Sequence, residues 1–194
     1  MTQLFTIGHS TRSLEEFIGL LRENDIQILI DVRTWPHSER YPHFNRDSLV
    51  ENLKKHGIRY EWLGKELGGF RKQGLGKESP NKAWKSQSFR NYADHTMAEE
   101  FRQGTKELLE LAKAGRLAFM CAERYHRSCH RQIISDYLTV KGHQVSHIVD
   151  KGKTEEHELT RFAKVTNDEL RYPLMSRKSI ILHERIEEEI DSDR

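Results

Sequence analysis

Residues 116–142 read RLAFMCAERYHRSCHRQIISDYLTVKG, and their order decides the fold class. Arg116–Glu123 carries a short apolar run of strand length. Ser128–Gly142 places apolar residues at helical spacing and closes on a glycine. The same strand–loop–helix alternation extends to both sides. Strands are expected at Leu4–Ser10, Ile26–Arg33, Ile58–Gly64 and His143–Asp150. Ser13 is the expected N-cap of a helix through Leu14, Phe17, Ile18 and Leu21, with Glu16 at the capping-box position. A second helix runs from Asp47 or Ser48 to Lys55, and a long one from Asp94 to Ala114, with Phe101, Leu108, Leu109 and Leu111 as core candidates.

Strands alternating with helices predict an α/β fold: a mainly parallel sheet of about five strands with helices on both faces, a Rossmann-like or flavodoxin-like three-layer sandwich. That domain is expected over residues 1–150, with an irregular basic insertion at 68–92. A polar extension over 151–194 packs on it or trails from it and ends in a helix at Ile180–Arg194.

The charge balance excludes little. Lys and Arg number 32 against 30 Asp and Glu, a net charge of +2, so only local clustering argues for an anionic partner. Apolar runs fall short of a membrane span, and the chain opens without a secretion signal. Two cysteines eight residues apart do not make a secreted disulfide framework. The expectation is a cytoplasmic protein that needs neither membrane nor cofactor.

Parallel sheets bind ligands at the carboxyl ends of their strands. There the first strand delivers His9, Ser10 and Arg12, and the second Asp31 and Arg33, followed by Trp35. The fourth delivers Cys121 and Glu123, ahead of Cys129, His130 and Arg131; the fifth delivers His147 and Asp150. Carboxylates, guanidiniums, imidazoles and a thiol thus share one edge.

TIGHST at Thr6–Thr11, DVRTWPHS at Asp31–Ser38, PHFN at Pro42–Asn45 and GIRYEWLGKELGG at Gly57–Gly69 form a pattern. It continues with CAE at Cys121–Glu123, CHR at Cys129–Arg131 and VSHI at Val145–Ile148. With these motifs the chain resembles, over about residues 5–150, the prokaryotic "domain of unknown function 488" family. The resemblance implies the α/β fold and points to the same strand-end residues. It carries no reaction.

The cluster admits several chemistries. Cys121, five residues, then Arg127 and Ser128 has the spacing of a cysteine phosphatase loop, and sulfur-transferring loops are similar. Against that, the intervening residues lack glycine and include Glu123. Cys121, Cys129 and His130 offer soft metal ligands, but without a Cys-x-x-Cys pair, and no metal is expected. A redox disulfide faces the same objection. The plainest account buries both cysteines as small apolar residues. The favoured account makes Arg131 and the start of its helix an anion site, supported by His9, Arg12 and Arg33. Asp31 and Glu123 then act as paired catalytic carboxylates with His130, suited to hydrolysis at a sugar carbon beside a phosphate.

Around this edge, aromatic and basic residues interleave: Trp35, Tyr41 and Phe44 in one loop, and Phe70, Lys82, Trp84, Lys85 and Phe89 in the insertion. Such mixtures stack on bases and contact phosphates; the plain alternative is a solvated loop. The expected function is a hydrolase acting on nucleotides or nucleic acid, with cleavage of an N-glycosidic bond, as in a base glycosylase, as its narrower form. A cysteine-dependent phosphatase or sulfurtransferase using Cys121, and a non-catalytic nucleic-acid-binding module, are the alternatives.

Overall fold

The computed structural model describes residues 1–174; the expected helix at 180–194 lies outside them. Six strands form the central sheet: β1 (Gln3–Gly8), β2 (Ile28–Asp31), β3 (Arg59–Trp62), β4 (Leu117–Cys121), β5 (Gln144–Asp150) and β6 (Lys153–Glu156). They lie side by side in the order β3-β2-β4-β1-β5-β6. The first five are mutually parallel, and β6 is an antiparallel edge on β5.

The strands are short and apolar because both faces are covered. Alternate residues part to opposite sides. Phe5, Ile7, Leu29, Ala118 and Met120 meet α1 (Leu14–Glu23) and α2 (Arg46–Lys55). Leu4, Ile28, Ile30, Leu117 and Phe119 meet α4 (Gln87–His95), α5 (Glu99–Leu111) and α6 (Arg131–Val140). The result is a three-layer sandwich, with a short α3 (Gly64–Leu67) docked on α5. α1 starts where the sequence places it, with the Ser13 side chain accepting from the Glu16 amide at 3.1 Å.

Three expectations change in detail. The long helix from Asp94 to Ala114 is two helices, α4 and α5. Tight turns close at Thr96–Ala98, and Ala98 swings to an extended ψ of 149°. The 68–92 stretch is built rather than irregular. Asp94 accepts from the Leu75 amide, the Ser79 hydroxyl and the Asn81 side chain, at 2.8, 2.6 and 2.8 Å, and so clasps the loop to α4. The chain beyond residue 150 adds β6 to the sheet. A hairpin follows, β7 (Lys164–Thr166) with β8 (Glu169–Arg171), and fully buried Tyr172 enters the core beside it. No helix among the described residues is long and apolar enough to cross a membrane.

The topology fixes where a ligand fits. From β1 through β2 to β3 the connections run over the α1/α2 face. From β3 through β4 to β5 they run over the other. β4 therefore lies between two strands, β1 and β2, whose chains leave toward the opposite layer. A crevice opens at the carboxyl end of β4, at Cys121. β1 and β4 approach closely there, Gly8 pairing with Cys121. A methyl group on Gly8 would fall 1.8 Å from the Glu123 carbonyl oxygen.

Gly8→Ala is therefore expected to cost about 2 kcal/mol or more in urea unfolding, because backbone must move. Gly19→Ala, on the exposed side of α1 with open space around it, should instead stabilise by about 0.5–1 kcal/mol through helix propensity. Equal effects at the two glycines would contradict this reading of the β1–β4 contact.

Candidate functional site

A cleft of about 750 Å³ occupies the crevice, lined from β1 by His9, from the β2 loop by Arg33 and Trp35, and from β4 by Cys121 and Glu123. Its floor is made of sulfur and imidazole. After Cys121 the chain loops out, makes one 3-10 turn at His126–Ser128, and returns Cys129 and His130 to the cleft just ahead of α6. His130 Nε2 lies 3.0 Å from the Val32 carbonyl. A carbonyl only accepts, so Nε2 carries the proton and Nδ1 presents a bare lone pair. Both sulfurs face that lone pair, Cys129 Sγ at 3.5 Å and Cys121 Sγ at 3.8 Å. The ring is held edge-on to Tyr92, centroids 5.0 Å apart, and packs over Gly69, where a Cβ would come 2.5 Å from Nδ1.

The thiols are not equivalent. Cys121 is pushed well up by the hydrogen bond it makes to Cys129 and by burial. Burial also pushes Cys129 up, but the bond from Cys121 and the nearby Arg131 charge oppose it and draw the thiol down.

Arg131 opens α6 and is almost wholly buried, at 1% exposure, yet no carboxylate among the described residues pairs with it. Its guanidinium donates to the carbonyls of Glu123 and Arg124, at 2.5 and 3.2 Å, and to the Thr6 hydroxyl at 3.1 Å. From Thr6 a chain of hydrogen bonds leads to Asp136: Thr6 to His147 Nδ1 at 2.8 Å, His147 Nε2 to His157 Nδ1 at 2.9 Å, and His157 Nε2 to Asp136 at 2.9 Å. The carboxylate accepts, so every imidazole tautomer follows, and each donor points from Arg131 toward Asp136. His126 feeds the same carboxylate through Gln132 and Thr160. His126, His147 and His157 bring their nitrogens within 4.8 Å of one another. Those of His147 and His157 are all committed to this wire. Burial and the neighbouring histidines lower His147 to about 2, so it stays neutral.

The expected site residues separate into groups. Cys121, His130, His9, Arg33, Trp35 and Glu123 line one cleft. Glu123 is exposed there, and Trp35, 64% exposed, packs on Phe70 at 5.1 Å. Asp31 lies elsewhere, and the expected pairing of Asp31 with Glu123 does not form. Asp31 belongs to the α1/α2 side of β2, has no exposure, and accepts from the Arg33 amide and guanidinium and from the Tyr60 hydroxyl at 2.8 Å. Burial alone would lower Arg33, but Asp31 raises it; burial and then Asp31 raise Tyr60 strongly.

Arg12 is spent on the carbonyls of Gly8 and Val149 and on Glu16. Arg131 is likewise spent on protein groups and does not line the cleft. Trp84 packs among Phe89, Phe162 and Tyr172 rather than offering a face to a ligand. Lys82 and Lys85 are exposed outside the cleft. His9 donates through Nδ1 to the Ser10 carbonyl at 3.0 Å and stacks on Phe44. Burial first, then Arg33, lowers it to about 4.

Residues 13–138 match the family described as Domain of unknown function DUF488. The chain belongs to this family. The match ends short of the TIGHST and VSHI strands at either side and contains the whole cysteine–histidine floor. No curated protein and no solved structure gives a significant match. The chemistry of this DUF488 chain thus rests on its own geometry. The sequence missed the Asp136 wire, although Asp136 interrupts the apolar stripe of Ile133, Ile134 and Leu138 and signals a buried polar partner.

Two stability outcomes follow. Asp31→Asn leaves the Arg33 charge buried without its counterion and is expected to cost about 3–5 kcal/mol in chemical denaturation; a cost under 1 kcal/mol would contradict the structural role. His9 and His147 ionise near 4 and 2 in the folded chain against 6.5 unfolded. The unfolded state then binds more protons below pH 6.5. Stability is full above that pH and falls on acidification, by about 2 kcal/mol per histidine at pH 5. Urea midpoints at pH 7, 6 and 5 check the slope; a flat profile contradicts it.

Proposed function

We propose that the protein is a hydrolase acting on a nucleotide or on an accessible base of a nucleic acid, at the cleft over Cys121, Cys129 and His130. The observation that carries this is the joining of two unlike surfaces in one crevice. The floor holds thiols and an oriented imidazole, and the rim holds the exposed Trp35–Phe70 pair. An exposed aromatic pair beside a polar floor fits a flat, apolar-faced ring with a reactive polar edge. Arg40 on the same lining supplies positive charge for a phosphate. Exposed Lys72, Lys77, Lys82 and Lys85 extend it along the 68–92 segment, whereas Arg71 is bound to the α3 carbonyls of Lys65 and Glu66 and Arg90 to the Trp84 carbonyl. An N-glycosidic bond remains a candidate for cleavage, with Glu123, not Asp31, as the carboxylate in reach.

One second reading is a Cys121 nucleophile for phosphoryl or sulfur transfer, although the thiol drawn down is Cys129 and Cys121 is pushed up. The loop gives it weak support. The Ser128 and Cys129 amides already bond to the Tyr125 and His126 carbonyls instead of circling the sulfur, and Arg127 points to solvent.

Purified protein is to be screened on nucleosides, nucleotides and single-stranded DNA and RNA for released base, ammonia or phosphate. Glu123→Gln is expected to lower kcat by about 10²–10⁴ at unchanged stability, as for loss of a general acid or base. Trp35→Ala should raise KM with little change in kcat. Abolition by iodoacetamide with full activity retained in Glu123→Gln would favour the nucleophile reading. Salt-sensitive binding without turnover would reduce the protein to a binding module.

A further inference from the structure

We infer that Cys121, Cys129 and His130 form a mononuclear zinc site whose fourth position opens into the cleft. The inference concerns the floor alone and holds for any substrate, so metal uptake and turnover are read separately.

Geometry carries it. Zinc bonds of about 2.3 Å to sulfur and 2.0–2.1 Å to nitrogen, at tetrahedral angles, put the ligand atoms of an S–Zn–N edge ~3.6 Å apart. The two sulfur–Nδ1 separations are 3.5 and 3.8 Å, and all three ligand atoms fall within 4.8 Å of one another. A hydrogen-bonded chain from Cys121 through Cys129 to Nδ1 would need only Cys129 beside the imidazole, yet Cys121 Sγ also lies 3.8 Å from Nδ1. One ion at the centre satisfies all three at once.

The imidazole is also prepared as a ligand. Its Nε2 proton is fixed on the Val32 carbonyl, the outer hydrogen bond that metal-bound histidines make, and this leaves Nδ1 free in the correct tautomer. Gly69 and Tyr92 lock the ring plane. The contrast with the other histidine cluster is informative. There His147 and His157 spend both nitrogens on each other, Thr6 and Asp136, so an ion would have to break the wire.

Charge agrees as well. On binding, both thiols release their protons to solvent, and two thiolates neutralise the dication. Two sulfurs and one imidazole select zinc over magnesium or calcium. Three protein ligands with an open fourth position are the arrangement of catalytic rather than structural zinc, and the cleft lies over that position. Glu123, exposed on the same cleft lining, is the carboxylate available to take a proton from a water held there.

The test uses the full chain. Reduced, chelator-treated protein is titrated with zinc and, separately, with cobalt(II). Expected are one zinc per chain by elemental analysis and, with cobalt, the intense bands of a tetrahedral ion together with thiolate-to-cobalt charge transfer. Cys121→Ser and Cys129→Ser should each weaken the charge-transfer band. Gly69→Ala keeps all three ligands but presses a methyl group on Nδ1, and should lower zinc affinity at least tenfold. Should the cysteine variants fail to fold, the wild-type titration and Gly69→Ala decide alone. The proposal is overturned by folded, reduced protein that takes up no stoichiometric zinc, by cobalt bound without a thiolate band, or by Gly69→Ala binding as tightly as wild type.

Discussion

A guanidinium with no carboxylate partner among the described residues organises this molecule. Arg131 sits at 1% exposure in the first turn of α6, where an isolated charge is costly unless its field is answered. Three answers surround it. The Glu123 and Arg124 carbonyls accept its hydrogen bonds, the Cys129 thiol is drawn down in its field, and the Thr6–His147–His157 relay extends it to Asp136. The carbonyl bonds shape the loop that leaves β4, and the relay joins β1, β5 and α6 to the segment after β6. Asp136 closes the relay by also accepting from Tyr172 and Thr160 at 2.7 and 2.6 Å. Residues beyond 150 are thereby tied to the electrostatics of the cleft.

The relay has a direction because carboxylate and guanidinium each play one role only. An acceptor at one end and a donor at the other leave a single consistent set of tautomers for His147 and His157. Neutral histidines transmit the polarity without adding charge, and burial holds His147 far below its ordinary range. Face-to-face stacking of His126 on His147, with centroids at 3.4 Å, is tolerable for the same reason: two imidazolium ions could not share that contact.

Much of this architecture was legible in the sequence. The five parallel strands stood out because buried strands read as short apolar runs ending in polar residues. The strand-end rule then collected His9, Arg33, Cys121, Glu123 and His130 correctly at one edge. Facing was harder. Asp31 and Cys121 both end strands, but Asp31 shares the side of Leu29 and Cys121 that of Phe119, a distinction fixed only by which helices cover which face. Long cationic side chains misled in another way. Arg12, Arg71 and Arg90 bond to carbonyls that a sequence does not show, so their charge closes loops rather than meeting a ligand. Trp84 reads as an exposed aromatic in a basic stretch, yet the hairpin beyond residue 160 covers it. The break between α4 and α5 has no proline or glycine to announce it, and it follows from the clasp on Asp94.

His130 connects the cleft to the frame. Its Nε2 is tied to the end of β2 at Val32, and its backbone leads into α6. Its ring is pressed by Gly69 from the segment after α3 and by Tyr92 from α4. Four elements from both halves of the chain therefore set one nitrogen against two sulfurs. Side chains of that kind are costly to align, because each contact removes rotamer freedom. A structural cysteine pair would need none of it. The alignment makes physical sense when something at the centre rewards convergence, and the cleft above supplies the space for what that centre would act upon.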